Sequence, residues 1–140
     1  MSNHKIYYRS GYKYQVAADY TTTIDIKPEA LIETDYIRLD PTGKLTIRKS
    51  YAWDGPSGPA IDTVNFMRGS LLHDCLYQLL REGHLKPDQR DPADRLLQEI
   101  CVADGMTKIR AWWVYWGVRF GGGPAADPAN NKPIMEAPRW

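Results

Sequence analysis

The sequence predicts one α+β domain: an N-terminal antiparallel sheet of hairpins, two antiparallel helices, a third Trp-rich helix and an extended C-terminal arm. Three observations predict it. Up to about residue 50, short Tyr-, Thr-, Val- and Ile-rich stretches alternate with turn residues, as half-buried strands do. Between residues 66 and 120, apolar side chains recur at helical spacing. A Gly/Pro-rich loop, Trp53-Asp-Gly-Pro-Ser-Gly-Pro-Ala60, separates the two patterns. The domain therefore spans 1–123, with a β-rich part at 1–50, the loop at 53–60 and helices at 66–120, and the arm covers 124–140.

Composition narrows the function classes. The 140 residues are 43% apolar and 25% charged, ordinary for a folded globular chain and too apolar for wholesale disorder. Eighteen Lys and Arg against seventeen Asp and Glu leave a net charge of +1, far less basic than phosphate-driven nucleic-acid binding needs. No run approaches the roughly 20 apolar residues of a membrane-spanning helix, and the polar start reads as no signal peptide. Two cysteines make neither a disulfide framework nor a zinc site. Five Trp and nine Tyr beside two Phe favour half-wet surfaces over a dry core.

Tyr12 to Ile26 reads as strands, and Tyr36–Leu39 and Lys44–Ile47 as a hairpin closed by Asp40-Pro-Thr-Gly43. The first helix is expected from about Phe66 to Arg81 with Gly83 as its stop. The second is expected to open with Asp91 as N-cap, Pro92 at the first helical position and Asp94 in the first turn, and to end at Gly105. The third runs from about Thr107 to Phe120, where Gly121-Gly-Gly-Pro124 ends it.

The chemistry concentrates in LLHDCLYQLL. On a helix His73 and Tyr77 share a face, and Asp74 sits about 100° round. A histidine base needs a partner that orients its far nitrogen, and Asp94 on the neighbouring antiparallel helix supplies one if the two helices are offset by about two turns. The Gly/Pro loop can turn carbonyl oxygens inward, and with the Asp74 carboxylate these are hard ligands of the kind calcium prefers.

HDxxY, the upstream W/YxGPxx loop and the AD pair on the next helix resemble the secreted and parvoviral phospholipase A2 family over about residues 53–100. The resemblance implies that His73 is the base, Asp94 its orienting carboxylate and Tyr77 a further hydrogen-bonding partner. It implies a calcium ion held by Asp74 and by the carbonyls of Trp53, Gly55 and Ser57, and a phospholipid or other cell-envelope substrate. Ser57 stands where the family's loop has Gly, and the family's many disulfides are missing. Cys75 lies about 200° round from His73 and Cys101 two turns beyond Asp94, so both read as small buried hydrophobes. The order of β-rich N-terminus, WDG loop, HDxLY helix and AD helix is also similar to a small family of phages and prophages. That similarity implies a phage origin, with the protein in the virion or the host cytoplasm, and carries over no assigned activity.

Other readings compete. A non-catalytic virion protein would use the Trp112/Trp113/Trp116 helix and the C-terminal arm as contacts, and the same pocket would also suit a peptidoglycan-directed hydrolase. Asp94 is also where a helix N-terminus welcomes negative charge. Asp54 and Asp62 read as turn residues, and His84 as an exposed connector residue. Ser57 and Ser70 lack the G-x-S-x-G elbow of a serine hydrolase. Lys108, Arg110 and Arg119 border the aromatic face of the third helix, which reads first as a partner contact and second as a lipid contact.

Overall fold

The computed structural model describes residues 5–9, 14–53 and 64–130, and shows two small antiparallel sheets followed by helices. The strands are β1 (Tyr8–Arg9), β2 (Tyr14–Val16), β3 (Tyr20–Thr23), β4 (Ile32–Glu33), β5 (Ile37–Leu39), β6 (Lys44–Ile47) and β7 (Ala52–Trp53). They pair as β1-β2-β7 and as β3-β6-β5-β4. The Tyr12–Ile26 stretch is thus divided: β2 and β3 go to different sheets, and the chain bends between them at residues 17–19.

The β5–β6 hairpin forms as expected. Leu39 faces Leu45 and Ile37 faces Ile47, all four fully buried. The Asp40 carboxylate accepts from the Thr42 and Lys44 amides and the Thr42 hydroxyl, closing an Asx-type turn. Gly43 sits at φ +88°, and a Cβ there would stand 2.2 Å from the Ile24 carbonyl oxygen, so only glycine fits.

The helices are α1 (Val64–Arg81), α2 (Arg90–Ala103), α3 (Lys108–Gly121) and α4 (Gly123–Ala126), with 3₁₀ turns at Pro87–Gln89 and Pro128–Asn130. The apolar side chains of α1 cover more than one face: Leu72, Cys75, Leu76, Leu79 and Leu80 join Val16, Ile37, Leu45 and Ile47 in the main core. A helix covered on several sides buries its polar residues too, and Arg68, Ser70 and His73 are all buried in α1. A smaller cluster of Phe66, Leu97, Cys101, Met106 and Ala111 joins α1, α2 and α3. Buried Arg68 is held by the Asp104 carboxylate at 2.8 and 2.9 Å and by the Tyr20 hydroxyl at 3.1 Å, which ties sheet to helices.

Two helix assignments differ from expectation. Asp91 is not the N-cap of α2: the 3₁₀ turn led by Pro87 feeds directly into the helix, which begins at Arg90 with Gln89 before it. The Asp91 side chain instead accepts from Arg95 and from the Tyr115 hydroxyl of α3. At the C-terminal end, the expected extended arm begins with two short helical turns, Gly123–Ala126 and Pro128–Asn130. Pro124 near a helix start supports the single turn of α4, whose Ala126 reaches the main core. Residues 131–140 of the expected arm lie outside the described residues.

Candidate functional site

The register of α1 against α2 builds the site. At Gly69 an added Cβ would meet Leu97 Cδ1 and Cys101 Sγ, both at 3.0 Å, so glycine lets the two helices approach closely there. One turn along α1 brings His73 opposite Asp94, and the next turn brings Tyr77 opposite Arg90. Arg90, the first residue of α2, thus lies level with Tyr77, so the helices are offset by about one turn rather than the two expected for the His–Asp pairing.

His73 Nε2 lies 2.7 Å from Asp94 Oδ1, and the Tyr77 hydroxyl donates to the same oxygen at 2.6 Å. The rings of His73 and Tyr77 pack at a centroid distance of 4.1 Å. Asp94 is fully buried and His73 is 7% exposed. Burial alone would raise the Asp94 carboxyl. Hydrogen bonds from His73 and Tyr77, the charge of the imidazole and a hydrogen bond from Arg119 outweigh it and hold the group below the usual carboxylate range. An ionised Asp94 only accepts, so Nε2 carries the ring proton in the neutral imidazole and Nδ1 keeps its lone pair. The Tyr77 phenol is pushed upward by burial and by the Asp94 carboxylate, so it stays protonated and donates.

Two arginines complete the cluster. Arg119 Nη1 donates to Asp94 Oδ2 at 3.0 Å. Arg90 Nε donates to the Tyr77 oxygen at 3.0 Å, and its Nη2 donates to the carbonyls of Val118 and Arg119 at 2.9 and 2.8 Å. Sequence reasoning placed Arg119 on the border of the aromatic face and assigned Arg90 nothing. The usable signals were Arg90 one helical turn before Asp94, and a cation in the last turn of α3.

Asp74 is half-buried and sits about 100° round α1 from His73. Its position on α1 is bracketed from the sheet side. The Tyr51 hydroxyl donates to Gln78, one turn after Asp74, and Trp53 Nε1 donates to Ser70, one turn before it. The Asp74 charge is close enough to push the buried Tyr51 phenol further up, after burial itself and Cys75. Trp53 is 3% exposed, closes the edge of β7, and is the last described residue before the Gly/Pro loop. Gly55, Ser57, Asp54 and Asp62 lie outside the described residues. Among the described residues no three His, Cys, Asp or Glu side chains gather as a metal cluster.

The remaining candidates have structural occupations. Ser70 donates to the Met67 carbonyl while accepting from Trp53, which leaves no nucleophile arrangement. His84 is 41% exposed beside Glu82. Cys75 and Cys101 are both free and buried, burial raising Cys75 and pushing Cys101 up to about 12, so both are unreactive thiols.

No family model, curated protein or solved structure matches this chain.

Proposed function

We propose that this chain is a calcium-dependent, phospholipase-A2-like hydrolase of phage origin that cleaves an acyl ester of a phospholipid. The observation that carries the reading is the His73–Asp94–Tyr77 cluster: an imidazole fixed through Nε2 by a buried carboxylate, with its second nitrogen left as the base.

In this reading Nδ1 of His73 takes a proton from water as the water oxygen attacks the ester carbonyl. The same nitrogen returns that proton to the departing alkoxide, so His73 ends as it began. Asp94 does not need to gain the proton. It keeps the ring oriented and stabilises the imidazolium while it exists. The Tyr77 and Arg119 hydrogen bonds occupy the rest of the carboxylate and hold it in place.

The anchoring of the loop entrance supports the metal part. The indole of Trp53, the last described residue before the loop, is pinned to Ser70, one helical turn before Asp74. Asp74 with the carbonyls of Trp53, Gly55 and Ser57 would hold calcium, an all-oxygen donor set suited to a hard cation. When bound, the ion supplies Lewis-acid stabilisation of negative charge on the ester oxygen.

The test is fatty-acid release from phospholipid vesicles in calcium and in excess chelator. Release is expected only with calcium, and Asp74→Asn is expected to raise the calcium concentration for half-maximal release by about tenfold or more, the loss of one charged ligand. Equal release in chelator, or none in calcium, would overturn the proposal.

A further inference from the structure

We propose that the outward face of α3 is a docking surface for an anionic lipid bilayer. The buried side of α3 is narrow, formed by Ala111 and Tyr115 with Val114 and Val118 beside them. On the opposite side Ile109, Trp112, Trp113, Trp116 and Phe120 are 75%, 48%, 67%, 38% and 86% exposed. Their rings touch in series: Trp112 to Trp113 at 5.1 Å, Trp112 to Trp116 at 6.3 Å and Trp116 to Phe120 at 5.7 Å between centroids. Contiguous apolar patches of this kind are uncommon on soluble monomers and mark binding surfaces.

Charge selects the occupant. Helix α3 contains Lys108, Arg110 and Arg119 and no acidic residue. At about 100° per residue, Lys108 falls along one edge of the stripe and Arg110 along the other, while Arg119, on the Lys108 side, is turned in to Asp94 and offers no free charge. Cations flanking a Trp/Phe face are what an interfacial helix presents to anionic headgroups, because indole rings settle at the headgroup level while the basic ends stay wet. A second copy of the chain would bring the same cationic rims toward each other, which disfavours self-association.

The surface is wired to the buried cluster. Arg119 of α3 holds Asp94, and Arg90 of α2 holds the last carbonyls of α3, so the stripe and the His–Asp pair belong to one packed unit. The inference deepens the phospholipid reading and rests on it for the substrate's source, yet the surface lies beyond residues 53–100 and its test needs no turnover.

The experiment measures co-sedimentation of the full chain with phosphatidylcholine vesicles, with and without an equal share of phosphatidylglycerol. Binding is expected to be about tenfold tighter or more on the mixed vesicles and to weaken as salt is raised. The double variant Trp113→Ser/Phe120→Ser, at two solvent-facing positions, is expected to lose at least about tenfold in affinity. Lys108→Glu/Arg110→Glu is expected to erase the preference for mixed vesicles. Equal affinity for both vesicles, or binding unchanged by the double variant, overturns the proposal. So does a dimer in sedimentation velocity that the double variant dissolves, since it would assign the stripe to a second copy. His73→Ala is expected to bind as the parent does. Vesicle binding without fatty-acid release would sink the hydrolase reading alone, and cleavage of a soluble short-chain ester without vesicle binding would sink the docking surface alone.

Discussion

His73→Ala is expected to reduce calcium-dependent ester cleavage by about a hundred- to ten-thousand-fold, the usual contribution of a positioned general base. The loss should appear in kcat, because the imidazole acts in the proton-transfer step. The fold should persist: without His73, the Asp94 carboxylate still accepts from Tyr77 and Arg119. Thermal unfolding separates this from a structural effect. A variant that keeps a cooperative transition and loses turnover supports the role of base, whereas one that keeps turnover removes it. Tyr77→Phe offers an internal comparison, since it deletes one hydrogen bond to Asp94 and leaves the His73 contact in place.

Asp94→Ala is expected to be the most destabilising single change in the cluster, by about 3–5 kcal/mol. The reason is what it leaves behind. Asp94 is fully buried, and its removal strips an acceptor from His73, the Tyr77 hydroxyl and the Arg119 guanidinium together. Burial of unpaired donors costs more than the lost bonds returned while they existed. Urea unfolding monitored by Trp fluorescence gives the magnitude, and a loss under about 1 kcal/mol would show that the cluster is not mutually dependent.

The pH dependence has a definite sign. Asp94 is held below its ordinary range in the folded state, so protons bind it more readily when the chain is unfolded. Its contribution to stability is complete above the unfolded carboxyl value of about 4, and is lost as pH falls through the lower folded value. Asp94→Asn should therefore flatten the acid limb of the stability curve.

Much of this arrangement was readable in the residues, for local reasons. Alternation in Ile37–Leu39 and Lys44–Ile47 determines which side chains enter the core, and Asp40-Pro-Thr-Gly43 has the chemistry of its turn. The i, i+4 spacing of His73 and Tyr77 is a property of any helix, so their shared face followed once α1 was assigned. Their meeting with Asp94 was conditional, because it depends on an interhelical register that no single segment encodes. Gly69 allows the close approach, and its role becomes visible only when Leu97 and Cys101 are seen against it. Asp91 was misread for a similar reason. A Pro after an Asp normally announces a capped start, but here the preceding 3₁₀ turn supplies the entry and releases Asp91 to Arg95 and Tyr115. Arg119 illustrates the same limit: its spacing placed it beside an aromatic stripe, while packing of α3 on α2 turned it to Asp94. The helical turn at Gly123–Ala126 was hidden by composition, since Gly, Pro and Ala there also describe an extended arm.

The central claim is that Asp94 fixes His73 through Nε2 and leaves Nδ1 as the base. Nitrogen-15 NMR of the His73 imidazole at neutral pH tests it most directly. The account predicts a ring protonated at Nε2 and bare at Nδ1, with this state lost in Asp94→Asn. A ring protonated at Nδ1 in the parent, or an unchanged spectrum in Asp94→Asn, would contradict it.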